Sequence, residues 1–117
     1  VELFDNTQLA LGSALRGSTA RQAALSDNLA NIATPGYVRK DVNFHDTLAA
    51  ALQNGGDTSA VSFSAQDDTA APVRVDGNSV DVDAENAALA QNGLEYDALA
   101  KVAGTRIDIL KSAMGVG

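Results

Sequence analysis

A mainly α-helical fold, with long N- and C-terminal helices packed as an antiparallel coiled-coil-like pair around a loop-rich middle, follows from three features of this 117-residue sequence. Apolar residues recur at alternating four- and three-residue spacings in both terminal thirds. The first of these patterns runs into Thr34-Pro35-Gly36, where proline lacks a backbone N–H and disfavours the α conformation in the residue before it. The aromatic set is only Phe4, Tyr37, Phe44, Phe63 and Tyr96, with no tryptophan. A core filled by Ala, Leu and Val suits thin, helix-on-helix packing. The chain thus divides into residues 1–33, a helix; 34–82, a turn, a short helix, a flexible acidic loop and a small β-hairpin; and 83–117, a second long helix. The first and last segments together form one core domain.

Asp5 or Asn6 can cap the first helix. Its seam runs through Phe4, Gln8, Leu11, Leu15, Ser18, Gln22, Leu25, Leu29 and Ile32, apolar except at Gln8 and in the middle at Ser18 and Gln22. Gly12 and Gly17 lie inside the pattern, each costing about 1 kcal/mol relative to alanine. Ala10, Ala14, Ala20, Ala23, Ala24, Ala30 and Ala33 leave much of the remaining surface small and uncharged. Such a face fits a helix with several neighbours, and equally an alanine-rich helix chosen for propensity.

Beyond the Pro35-Gly36 stop, Tyr37 to Phe44 reads as extended, and Asp46 to Gln53 as a short helix with Leu48 and Leu52 on one face. Asn54-Gly55-Gly56 ends it. Residues 54–71 are rich in Gly, Ser, Thr, Asp and Ala and read as a poorly ordered loop. Pro72-Val73-Arg74-Val75 and Val80-Asp81-Val82 alternate apolar and polar around Asp76-Gly77-Asn78-Ser79, a hairpin signal. The second long helix opens near Asp81 or Asp83, where acids complement a helix N-terminus. Its looser seam is Leu89, Asn92, Tyr96, Leu99, Ala103, Arg106 and Leu110, with Ile107 and Met114 shifting the stripe after Gly104. The residues expected to pack the helices or join subunits are Leu11, Leu15, Leu25, Leu29, Ile32, Leu89, Tyr96, Leu99, Ile107 and Leu110; periodicity does not say which face a neighbour. Arg16, Arg21, Lys101 and Arg106 are candidates to set register by pairing across subunits with Asp27, Glu95, Asp97 or Asp108.

Charge and composition narrow the function. The net charge is −7, and it is concentrated: residues 41–85 hold one basic and nine acidic side chains, while the flanking segments are near neutral. No basic stripe is available to neutralise phosphates, which argues against a nucleic-acid partner. The absence of cysteine excludes disulfides and thiolate metal sites. No apolar run approaches the length of a membrane span, and Val-Glu-Leu-Phe-Asp is not a signal-peptide n-region. His45 is the only histidine, too few ligands for a conventional zinc site. Asp81 to Glu85 lacks the glycine and the distal glutamate of a calcium loop. No phosphate-binding glycine loop is present. Neither catalysis nor a cofactor or metal is expected.

Asn28-Leu29-Ala30-Asn31-Ile32-Ala33-Thr34-Pro35-Gly36-Tyr37 resembles the signature of the flagellar basal-body rod and hook proteins, Asn-aliphatic-Ala-Asn-x-x-Thr-Pro-Gly-Tyr, at every fixed position. Asn78-Ser79-Val80-Asp81 before the last helix, Leu94-x-Tyr96-x-Ala98-Leu99 within it, and the short length resemble the proximal-rod members of that family. The resemblance implies a structural subunit exported by the flagellar type III apparatus without a cleaved signal peptide. It implies assembly through the terminal helices into the periplasm-spanning rod that links the inner-membrane ring to the distal rod and hook. The implied partners are other rod subunits and further copies of itself, an adaptor protein at the ring, and the export gate. Another proximal-rod paralogue, or a small secreted helical-hairpin protein of a different export system, are the alternatives. Glycine-weakened helices suit passage through a narrow channel, and isolated subunits are expected to be loosely helical until assembly stabilises them. Within the signature, Thr34, Pro35 and Gly36 are expected to make the bend, Asn28 and Asn31 to tie it to the returning chain, and Tyr37 to anchor that chain.

Overall fold

A computed structural model describes residues 6–55 and 58–115. The order is α1 (Asn6–Ala30), β1 (Lys40–Asp41), α2 (Phe44–Gln53), β2 (Gln66–Asp67) and α3 (Val82–Ala113). The two long helices lie antiparallel, joined by Gln8 to Arg106, Ser18 to Asn92 and Asn28 to Glu85. The whole is long and thin, 62 × 30 × 14 Å. Asp81 caps α3 by accepting from the Asp83 and Ala84 N–H groups at 2.9 and 3.2 Å. The expected cap Asp5 and the seam residue Phe4 lie outside the described residues.

The polar residues that interrupt the two seams meet one another. Asn92 Nδ2 donates to the Ser18 carbonyl at 2.9 Å and to Gln22 Oε1 at 3.0 Å, while Ser18 Oγ donates to Asn92 Oδ1 at 3.2 Å. Ser18 and Asn92 are buried. A slip by one helical turn would leave these groups unpaired, so the polar layer fixes register at some cost in stability.

The apolar core is small and centres on Phe44, 2% exposed, with Ala14, Ala24 and Val42. Leu48, Phe63 and Leu99 pack around it, the Phe63 ring edge-on to Phe44 at 6.4 Å between centroids. Phe44 reaches α1 because Gly17 has no side chain: a Cβ there would stand 2.6 Å from Phe44 Cβ. Gly17 is thus a packing notch for α2 as well as a weak helix former. Gly12 has open space around it.

Three expectations change. The hairpin over 72–75 and 80–82 is not formed; the two-stranded antiparallel sheet instead pairs Lys40 with Asp67 and Asp41 with Gln66. Val73 and Val75 are exposed, and although Arg74 N–H donates to the Asn78 carbonyl at 2.9 Å across the turn, Ser79 N–H donates to the Tyr37 carbonyl at 3.0 Å rather than to the 72–75 segment. The described part of the 54–71 segment is held rather than free. Thr58 is buried and accepts from Ser13, Arg16 donates to the Val61 carbonyl, and Asp68 N–H bonds the Arg39 carbonyl. Helix α2 starts at Phe44, two residues early, and only Leu48 of the Leu48/Leu52 pair packs on the core; Leu52 is 43% exposed. Arg16 and Arg21 are engaged within the chain, Arg21 with Asp41 at 2.9 Å, and Arg106 reaches Gln8.

Candidate functional site at the turn between the long helices

Helix α1 ends at Ala30, and the chain tightens through Asn31, Ile32 and Thr34, whose N–H groups bond to carbonyls three residues back. Asn31 braces this turn locally: its Nδ2 donates to the Asp27 carbonyl at 2.9 Å and its Oδ1 accepts from Thr34 Oγ1 at 3.1 Å. Gly36 then takes φ +75°, a conformation that costs an L-residue roughly 1–2 kcal/mol. Its N–H donates to the Asp76 carbonyl at 2.9 Å. Gly77, also at positive φ, packs so closely that a Cβ would lie 3.2 Å from Gly36 Cα. Two glycine turns therefore meet backbone to backbone.

Carbonyls stranded at the end of a helix need donors, and here they come from the second turn. Asn78 Nδ2 is placed within bonding distance of the carbonyls of Asn31, Ile32 and Thr34, at 2.9, 3.2 and 2.8 Å. Arg74 bridges the Ile32 and Val80 carbonyls. Asp76 accepts from the Asn78 N–H and from Arg74, which together hold its carboxyl below the usual range.

Asn28, fully buried, ties the returning chain. Its amide donates to the Lys40 carbonyl at 2.7 Å and accepts the Lys40 N–H at 2.9 Å, standing in for a neighbouring strand. Strand β2 covers the opposite edge, where Arg39 C=O is bonded. Asn28 also donates to Glu85 Oε2 at 3.1 Å, and Tyr37 OH approaches Asn28 Oδ1 at 3.4 Å. Glu85, 1% exposed, pairs with Arg39, which in turn reaches Asp68. Glu85 holds the Arg39 proton above its ordinary affinity; burial works against this and is outweighed with the help of Asp68 and Asp41. A charge this deep is tolerable only when paired and hydrogen-bonded. Among the described residues, no buried side-chain nitrogen or oxygen lacks a partner.

Asp41 forms the outer edge of this cluster. Burial pushes its carboxyl up, but hydrogen bonds from Arg21 and the Val42 N–H, with the charges of Arg21 and Arg39, bring it below the usual range. His45 stacks on Phe44 and meets Glu95 at 3.0 Å on the surface. Among the described residues no three metal-ligating side chains converge, and no helix is long and apolar enough to cross a membrane. The geometry is that of a brace: the charges of Arg39, Arg74, Asp41 and Glu85 are each directed at another part of the same chain.

No protein-family model matches the chain. Individual relatives do. It is 32% identical over 130 aligned positions to the flagellar basal body rod protein FlgB of Bacillus subtilis, covering 100% of this chain and 99% of that one. The FlgB of Aeromonas hydrophila is 32% identical over 114 positions, 86% of each chain, and that of Escherichia coli 32% over 102 positions, 71% and 74% respectively. The chain belongs to the FlgB family of flagellar basal-body rod proteins. It is a structural protein of the rod and not an enzyme.

In this FlgB-family chain the signature residues divide by task. Asn28 reaches across to Lys40 and Glu85, Asn31 and Thr34 close the helix end, and Gly36 supplies the left-handed step. Leu29 and Ile32 are half-buried; Ala30 and Pro35 are exposed. Of the packing positions, Leu25 is fully buried, Leu11, Leu15, Leu89, Leu99 and Leu110 half-buried, and Tyr96 and Ile107 exposed at 42% and 41%. Arg39, Arg74, Asn78 and Glu85 carry the brace, yet the sequence reading did not assign them to it. Glu85 had a detectable signal: it falls four residues before Leu89, on the backward extension of the α3 seam, where a charge demands a buried partner.

Proposed function

We propose that the chain is a proximal-rod subunit whose turn end is completed within the molecule and whose helix pair is completed by neighbours. The observation that carries this is a stripe on α3 facing away from α1. Leu94, Ala98, Val102 and Ile109 recur at helical spacing, with Leu94 72%, Val102 51% and Ile109 62% exposed. A solvated helix face would carry charges there. Copies of this chain and other rod subunits are the partners for that stripe. Leu11, Leu15, Leu25, Leu29, Ile32, Leu89 and Leu99 act chiefly inside the subunit, and Tyr96, Ile107 and Leu110 add to contacts between subunits. The rod so built would join the inner-membrane ring to the distal rod and hook, meeting the ring and the export gate through an adaptor protein after type III export.

The test is a Leu94→Glu/Ile109→Glu chain expressed in place of the native one. The proposal expects export and helicity to persist while rods and motility are lost. Motile cells with normal rods would overturn it.

A further inference from the structure

The sequence contains two Asn-Gly pairs, Asn54-Gly55 and Asn92-Gly93, and the fold treats them in opposite ways. Asn-Gly is the dipeptide in which a backbone amide most readily attacks the preceding side chain, because glycine presents no Cβ to obstruct it. Ring closure requires the asparagine backbone to rotate until the next amide nitrogen faces Cγ.

Asn92 cannot make that rotation while α3 is intact. It lies ten residues into a 32-residue helix, where the following amide is held by the helical ladder. Its side chain is buried and fixed by Ser18 and Gln22. Asn54 is the residue just past the last helical position of α2, with φ −97° and ψ 18°, and it is exposed. Gly55 follows at φ +141° with open space where a Cβ would stand. A third acyl group before glycine, Asp76, is occupied by the Asn78 N–H and Arg74, and the Gly77 amide donates to the Arg74 carbonyl.

We propose that Asn54 is a site of spontaneous covalent modification by deamidation, and that the fold protects Asn92. The Gly55 amide nitrogen forms a bond to Asn54 Cγ; its proton passes to the departing carboxamide nitrogen, which leaves as ammonia, and a five-membered succinimide remains. Water then opens the ring. Attack at Cγ yields aspartate, and attack at the backbone carbonyl yields isoaspartate, whose main chain runs through the former side-chain carbonyl. The balance is one amide and one water to one carboxylic acid and one ammonia, with no change in oxidation state. The new carboxylate stands at the C-terminal end of α2, where the helix dipole opposes negative charge, and it adds to an already acidic segment. Fraying of the last α2 turn follows.

The experiment incubates the full chain in warm, mildly alkaline buffer, with and without denaturant, and maps both peptides by mass spectrometry. In the folded chain, conversion at Asn54 should run at least about tenfold ahead of Asn92, since the helix must open before Asn92 can react. In denaturant the two should convert at similar rates, and Asn54→Gln should remove the fast component alone. Equal rates in the folded chain, or an Asn54 that converts only in denaturant, would overturn the proposal.

Discussion

At the turn end of the helix pair, Asn28, Arg39 and Glu85 meet beneath two glycine turns that touch backbone to backbone, and each buried polar group there has a partner. Toward the opposite end of α3, Val102, Ile107, Ile109 and Met114 stand 51%, 41%, 62% and 53% exposed. One end spends its sequence on polar bonds that only this chain can satisfy. The other leaves apolar surface exposed among the described residues. Buried polar clusters specify one arrangement and tolerate little change, whereas exposed apolar faces specify a neighbour only loosely. The fold thus separates defining the subunit from joining it to others.

The comparison breaks most directly at Glu85. Glu85→Ala takes the main partner from half-buried Arg39, which keeps Asp68 and Asp41. The loss should therefore fall at the low end of the about 3–5 kcal/mol that breaking a buried pair costs, still a large share of the roughly 5–15 kcal/mol that stabilises a domain. Thermal unfolding followed by circular dichroism should show a midpoint lower by more than about 10 °C. A smaller effect is expected at the Phe44 notch. Gly17→Ala gains helix propensity but drives a methyl group into Phe44, with overpacking worth roughly 1–3 kcal/mol. Gly12→Ala, in open space, should instead stabilise by up to about 1 kcal/mol. Chemical denaturation of the two variants should give midpoints on opposite sides of the parent; midpoints shifted the same way would remove Gly17 from its role. The smallest effect is pH dependent. Asp41 is held below its unfolded value, so its contribution is present above about pH 4, the ordinary carboxylate range, and is lost as pH falls through the lower folded value. An Asp41→Asn chain should therefore show a flatter loss of stability in acid than the parent.

How much of this was legible in the sequence varied with distance along the chain. The long helices follow from seam spacing, which depends on neighbours a few residues apart; α1, however, ends at Ala30, short of the expected 33 and before Pro35-Gly36. Asn28 could be expected to tie down the returning chain, though not that it would mimic a strand against Lys40. The brace itself joins residues 12 to 57 positions apart, such as Asn28 to Lys40 and to Glu85, and periodicity carries no such information. Alternation at 72–75 and 80–82 gave a hairpin signal, but the signal is local, and Arg74 and Asn78 are drawn instead to the carbonyls at the end of α1. Ser18, Gln22 and Asn92 looked like defects in two separate seams. Only their meeting shows that they are one polar layer.

That isolated helices would be loose until assembly is an expectation the two ends now divide between them: the turn end has reasons to be ordered alone, and the far end does not. Amide hydrogen exchange of the isolated, full-length chain measures this directly. Protection should be greatest in segments 24–42 and 78–92 and weakest over 102–115, with assembly into rods raising protection chiefly in the latter. Uniform exchange along α3, or a far end better protected than the turn, would contradict the account.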